Sequence, residues 1–285
     1  MSVDTVEPGP TARYAPSRRR GQGRLMVGIL LLCFFTVTPF LAVVVLALTP
    51  EGVLTIPHAW PSDLTLDNIT QILQVGDFPR WFANSFIYAA VSVVIILLTA
   101  AMAGYALARK RFPGRNVILW SIIATLMVPL EATLIPLFIL VKELGGIDTL
   151  WGLILPTLAN AQAVFLMRQF IMGLPDELFD AARIDGAGEW RMFTRIVLPL
   201  IRPIVATLGI FIFLWHWNDL LWPLIVGQSD EARTLTVGLA TLNTEDVSTT
   251  NIMAAALVSV VPCLVVYAVL QRYIVDSIVA TGIKG

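Results

Sequence analysis

Charge is the first thing this sequence has little of. Of 285 residues only 14% are Asp, Glu, Lys or Arg, against 57% hydrophobic, and the mean hydropathy is +0.79. Soluble domains carry about 25% charged residues, so an ordinary soluble fold is excluded. Lysine is scarcer still: Lys110, Lys142 and Lys284 are the whole set, and none follows a glycine. A phosphate-binding loop ending Gly-Lys-Ser/Thr is therefore absent, and whatever drives the protein comes from another chain or from a gradient. The two histidines, His58 and His216, lie on separate elements, which removes an HExxH metal pair. No Gly-x-Ser-x-Gly occurs, so an intramembrane hydrolase lacks its motif. Cys33 and Cys263 fall inside apolar runs and read as small apolar residues, not as a disulfide framework. No catalytic residue, metal site or bound cofactor is expected.

What is abundant is uninterrupted apolar sequence. Six runs stand out: Leu25–Leu48, Phe86–Ala108, Val117–Val141, Trp151–Ile171, Pro203–Val226 and Asn251–Gln271. At ~1.5 Å per helical residue each spans a hydrocarbon core of ~30 Å. The first run is too long for a cleaved signal, whose apolar region is about 7–15 residues. The longest piece between runs, 49–85, has 37 residues, below the roughly 40 at which a domain folds without staples. The expected fold is all-α: a polytopic membrane protein with six transmembrane helices. It divides into a tail at 1–24, a membrane domain at 25–271 and a tail at 272–285.

Six crossings place both termini on one side. On that side fall Arg13, Arg18, Arg19, Arg20, Arg24, Arg109, Lys110, Arg111, Arg115, Arg168, Arg183, Arg191, Arg195, Arg202, Arg272 and Lys284. The other side holds only Arg80, Lys142 and Arg233. Basic residues mark the cytoplasmic side, so both termini and the connection 172–202 are expected there, with 49–85 and 227–250 external. The Arg18–Arg20 run reads as membrane anchoring and not as a nucleic-acid site.

Several runs carry proline: Pro39, Pro129, Pro136, Pro156, Pro223 and Pro262. These are ordinary kinks of a bundle or the bends of a pathway whose helices rock between two states. Glu131 and the cluster Trp215-His216-Trp217-Asn218-Asp219 place polar groups inside runs. Ionisable groups at membrane depth usually face a cavity or a partner, whereas tryptophans also collect at the interface. Glu131, Trp215, His216, Asn218 and Asp219 are therefore candidate pathway residues, with interfacial anchoring or packing as the other reading.

Connection 172–202 is the most structured of the polar pieces. Leu174-Pro175-Asp176-Glu177 predicts a helix start, with acids facing the positive helix end. Gly186 supplies a stop with φ > 0. A second short helix follows, with Trp190, Phe193, Ile196, Val197 and Leu200 on one apolar face. Such a pair either lies on lipid or docks another protein.

Here the residues match a known pattern. Asp180-Ala181-Ala182-Arg183-Ile184-Asp185-Gly186, nine further residues, then Ile196-Val197-Leu198-Pro199 resembles the EAA loop of binding-protein-dependent ABC importer permeases. The spacing is met throughout; Asp180 stands where glutamate is usual. Arg111-Phe112-Pro113-Gly114-Arg115, Met127-Val128-Pro129, Trp151 through Pro156, Trp217-Asn218-Asp219 and the ending Gly282-Ile283-Lys284-Gly285 are similar to the maltose-type carbohydrate subgroup. The resemblance covers about residues 25–285. It implies a type I importer permease in a bacterial or archaeal inner membrane, paired with a second, longer permease. Two ATPase subunits, which bind the ATP and Mg, and an external solute-binding protein complete the assembly. It also implies that Asp180, Ala181, Ala182, Asp185, Gly186, Ala187, Phe193, Ile196, Leu198 and Pro199 form the element that docks on the ATPase. Connection 227–250 is similar to the segment that probes the binding protein's cleft, a plain linker being the alternative, and the tail 272–285 reaches toward the ATPase. A gradient-driven carrier using Glu131 or Asp219 is the competing expectation; inverted repeats would support it, and none is clear.

Overall fold

The computed structural model describes residues 19–50, 63–74, 77–242 and 247–282, and every regular element among them is a helix. The expectations for residues 1–18, for most of 49–62 and for Ile283–Gly285 lie outside the described residues. Three helices are long and continuous: α1 (Arg19–Ala47), α3 (Phe78–Arg109) and α14 (Thr249–Gly282). Their apolar stretches Leu25–Ala47, Phe78–Arg109 and Thr249–Gln271 are each long enough to cross a bilayer. Between α1 and α3 lies the short α2 (Asp67–Ile72).

The other apolar runs are not single helices. α4 (Arg115–Thr125) meets α5 (Leu130–Glu143) at 100°, and α6 (Leu150–Ile154) with its 3-10 turn Leu155–Thr157 meets α7 (Ala161–Met172) at 45°. A third bend, of 72°, separates the stretch Glu189–Leu200 from α11 (Arg202–Trp217). Run 203–226 therefore holds two helices: α11 stops at Trp217, and α12 (Leu221–Val226) begins after a break at Asn218–Leu220. Among the described residues, length and composition allow up to six crossings if each bent pair is counted as one.

Local chemistry explains the breaks. Pro129 has no N–H, restricts the residue before it, and sits in an extended conformation (φ −59, ψ 134) as the cap of α5. Asn160 restarts the chain at α7, its side chain accepting from the Ala163 amide at 2.8 Å. Pro39, Pro136 and Pro262, by contrast, lie inside helices that continue through them.

α3 is the spine. It packs against α7 and α11, and the approach to α7 is close: a Cβ on Gly104 would stand 3.0 Å from the Arg168 amide and from Met167 Cγ. Toward its Arg109 end lies a core of Ala100, Ala101 and Tyr105 with Met167, Ile171, Phe179, Phe193 and Val197. Toward its Phe78 end lies a second, in which Trp81 and Ala89 meet Phe213, Trp217 and Ala254. Large apolar side chains of α1, α4 and α5 remain exposed, as expected of surfaces that meet lipid or a neighbouring subunit.

Candidate functional site

The segment after α7 folds as two short helices. α8 (Asp176–Ile184) has Pro175 as its cap and Asp176 and Glu177 in its first turn, where carboxylates meet the positive end of the helix. It ends at Gly186, whose φ of +71 is open to glycine at little cost. The Gly186 amide donates to Arg183 O at 3.0 Å and the Ala187 amide to Ala182 O at 2.9 Å, the paired bonds of a Schellman stop. α9 (Glu189–Met192) follows, continuing through a π turn at Phe193–Val197 into α10 (Leu198–Leu200).

Burial sorts the residues of this segment. Phe179, Ala182, Met192, Phe193 and Val197 point into the protein. Asp180, Ala181, Asp185, Gly186 and Pro199 are exposed, and Ala187, Ile196 and Leu198 are half-buried. The apolar face expected of the second helix is therefore narrower: Trp190 is 70% exposed, its ring 5.7 Å from that of Phe193, and Leu200 is also outside it, while Met192, Phe193 and Val197 point inward. Ile184, at 87%, is the most exposed apolar side chain of the segment. A helix-length pattern alone does not reveal it, since it lies in a stretch of mixed polarity.

The segment is fastened to the Arg109 end of α3. Arg109 pairs with Asp176, donates to the carbonyls of Leu174 and, at 2.9 Å, Ile171, and lies 4.3 Å over the Phe179 ring. Lys110 pairs with Glu189, which also accepts from Tyr105 Oη at 2.9 Å. The Lys110 ammonium beside it holds the Glu189 carboxyl below its ordinary value, against the opposing pull of partial burial.

The Phe78 end of α3 fastens a second segment, by different means. Trp81 Nε1 donates to Asp230 O at 3.1 Å, and Asn84 Nδ2 to Glu231 O and Arg233 O, both at 2.9 Å. Ser85 Oγ accepts from the Leu235 amide at 2.8 Å, which fixes the start of α13 (Leu235–Leu242). The side chain of Glu231 stays 80% exposed.

Between the two ends lies the polar cluster at the α11–α12 break. Tyr88 of α3, fully buried, donates to Asp219 Oδ2 at 2.9 Å. His216 is buried against the Tyr88 ring at 4.9 Å; its Nδ1–H donates to Ile212 O at 2.8 Å and its Nε2 lies 3.2 Å from Thr157 Oγ1. Trp215 and Asn218 are exposed. Glu131 is exposed in the first turn of α5, and no hydrogen bond or ion pair reaches it from the described residues. The candidate pathway residues thus divide into the buried His216 and half-buried Asp219, held by Thr157 and Tyr88, and three exposed ones. Among the described residues no cluster of His, Cys, Asp and Glu is arranged to hold a metal.

The comparison with known families bears on all of this. A match to the family described as binding-protein-dependent transport system inner membrane component spans residues 95–279. The chain belongs to that family. It is a permease subunit of an ABC transporter, a transport component and not an enzyme. Among its relatives is the arabinooligosaccharides transport system permease protein AraQ of Halalkalibacterium halodurans, 38% identical over 269 residues, covering 92% of this chain and 96% of that one. Another is the sn-glycerol-3-phosphate transport system permease protein UgpE of Yersinia pestis, 34% identical over 268 residues, covering 90% and 93%. A crystal structure of a bacterial ABC transporter involved in the import of the acidic polysaccharide alginate superposes with a TM-score of 0.81 at 24% identity, over 93% of this chain and 100% of that one. The fold is accordingly that of an ABC permease. The match begins at Ile95, so it takes in the Arg109 end of α3, the 172–202 segment and the Asp219 break.

Proposed function

We propose that this permease forms one half of the pathway of an ATP-driven importer for a carbohydrate or related polyol-derived solute, with segment 172–202 and both termini in the cytoplasm. The observation that carries the coupling part is the exposed pair Ile184 and Trp190, at 87% and 70%. Both project from an element that is otherwise fastened to α3. Large apolar side chains on a polar loop fit a docking contact better than a solvated surface. The partner there is an ATPase subunit, one of two, which binds the ATP and Mg; this chain binds no cofactor. The distribution of basic residues supports the orientation. The solute class follows from relatives named for arabinooligosaccharides, sn-glycerol 3-phosphate and alpha-glucosides.

The remaining partners are a second permease, closing the pathway against the exposed faces of α4 and α5, and a solute-binding protein outside. Glu131 supports the pathway reading: an ionisable side chain on an exposed apolar helix costs about 2.5–3.5 kcal/mol against lipid, so it faces water or the second permease. Trp215, His216, Asn218 and Asp219 belong to the same pathway region. In a reconstituted complex, Ile184→Asp abolishes ATP hydrolysis stimulated by the loaded binding protein while the two permeases still co-purify. Uptake that proceeds without the ATPase subunits and follows a proton gradient instead would overturn the reading.

A further inference from the structure

The two helices of the coupling segment are each held at their first turn, and both are held by the last turn of α3 and the residue that caps it, Lys110. α8 contributes a carboxylate, Asp176, and a ring, Phe179; α9 and its continuation contribute Glu189 and Phe193. Arg109 takes the first pair, with its guanidinium over the Phe179 ring at 4.3 Å. Lys110 and Tyr105 take the second, the Tyr105 ring lying 5.6 Å from that of Phe193. Tyr105 and Arg109 are four residues apart, on one face of α3. Among the described residues, every side-chain polar contact from segment 172–202 to another helix lands on Tyr105, Arg109 or Lys110.

Fixing a body at one point leaves it free to swing; fixing it at two makes it follow its support. The support here is unbroken. α3 runs for 32 residues, about 48 Å at ~1.5 Å per residue, and its other end holds the segment at 230–235 through Trp81, Asn84 and Ser85. The bends at 100°, 45° and 72° elsewhere would absorb a displacement; this rod has no such bend. Arg109 is only 12% exposed, whereas its partner Asp176 is 81% exposed, so the ring and carbonyl contacts of the guanidinium are the shielded part of this clamp.

We infer that Tyr105, Arg109 and Lys110 are positioning residues for coupling: they clamp the 172–202 segment to α3 at two points, so that its movement passes along that helix to the external 230–235 segment. This rests on the importer reading given above. The clamp is needed for communication between the two faces, beyond any part it has in holding the fold.

The test uses the full complex in lipid, with the ratio of ATP hydrolysis in the presence of loaded binding protein to that in its absence as the readout. Lys110→Glu lowers that ratio by at least about fivefold, the low end of ordinary coupling free energies. The exchanged pair Lys110→Glu with Glu189→Lys restores it, a rescue that neither single change gives. Tyr105→Phe loses one hydroxyl and keeps its ring against Phe193, so assembly is preserved; it lowers the ratio about twofold, less than Lys110→Glu does, because Lys110 still pairs with Glu189. An unchanged ratio in Tyr105→Phe, or an exchanged pair that assembles but stays uncoupled, overturns the inference. If wild-type complex itself shows no stimulation by loaded binding protein, the importer reading fails first, and the clamp with it.

Discussion

The two ends of α3 hold their segments in different ways. At the Phe78 end the acceptors are main-chain carbonyls of Asp230, Glu231 and Arg233, and the donors are the neutral side chains of Trp81 and Asn84. At the Arg109 end ion pairs join the two partners, Arg109 with Asp176 and Lys110 with Glu189. A main-chain contact is indifferent to which side chain the held residue carries. The Phe78 end therefore fixes the shape of its segment through its backbone, while the side chains there engage in exposed ion pairs, Asp230 with Arg233 and Glu231 with Arg80. The Arg109 end also uses main-chain carbonyls, those of Ile171 and Leu174, but adds two ion pairs in which identity matters on both sides.

The largest test of this contrast is steric. Trp81 is buried, donates to Asp230 O, and packs so closely on α13 that a Cβ at Gly238 would stand 2.1 Å from its Cε3. Trp81→Ala removes both the ring and the bond and destabilises the permease by about 3 kcal/mol, measured as thermal unfolding in nanodiscs. Segment 230–235 becomes a protease target at the same time. A melting temperature indistinguishable from wild type would mean that α3 does not organise that segment.

Next comes the main-chain contact itself. Asn84→Leu leaves the carbonyls of Glu231 and Arg233 without their donor and costs about 1–3 kcal/mol. Glu231→Gln, on the residue whose carbonyl is held, changes stability by less than about 0.5 kcal/mol, because its side chain meets only Arg80 at 3.7 Å and is 80% exposed. Equal losses in the two variants would abolish the distinction between holding a backbone and holding a side chain.

How much of this the sequence discloses follows from the kind of contact involved. Apolar runs mark the membrane helices because burial in lipid needs length and little else, so α1, α3 and α14 are legible outright. The bends are partly so: Pro129 and Pro156 fall at two of them, yet Pro39, Pro136 and Pro262 do not bend-mark anything, since a membrane helix can re-satisfy the freed carbonyl. The stop at Gly186 and the start at Asp176 are readable because both are local. Tyr88 with Asp219 is not, being a pairing across 131 positions. Arg109 and Lys110 register in the sequence only as two of many cytoplasmic charges; their contacts with Asp176 and Glu189 appear only once α7 has brought α8 and α9 back beside α3. The π turn at Phe193–Val197 likewise escapes a pattern that assumes regular helix spacing.

The charged end is also the one that responds to pH. Glu189 has a carboxyl held below its ordinary value, first by Lys110. A depressed folded-state pKa contributes stability that is present above the unfolded value and is lost as pH falls through the folded one. Protection of segment 172–202 against proteolysis, followed with an acid-stable protease, is therefore flat down to about pH 4.3, the ordinary glutamate value, and declines only below it. Lys110→Met moves the decline to higher pH. A decline at the same pH in both proteins would remove the Lys110 pair as its cause.

The smallest expected effect separates holding from docking within the coupling segment. Asp180 pairs with Arg183 one turn along α8 at 2.7 Å, with both side chains more than half exposed. Such a pair contributes only about 0.3 kcal/mol once solvent screening is allowed for, and no contact of Asp180 with α3 is seen. Asp180→Asn therefore leaves the melting temperature of the permease within about 1 °C, unlike any change at Arg109, Lys110 or Glu189. Its effect on hydrolysis stimulated by loaded binding protein then reports on the partner alone. A several-fold loss places the carboxylate in the docking contact beside Ile184. An unchanged ratio assigns that contact to the apolar residues Ile184 and Trp190, and leaves Asp180 as one half of a local helix pair.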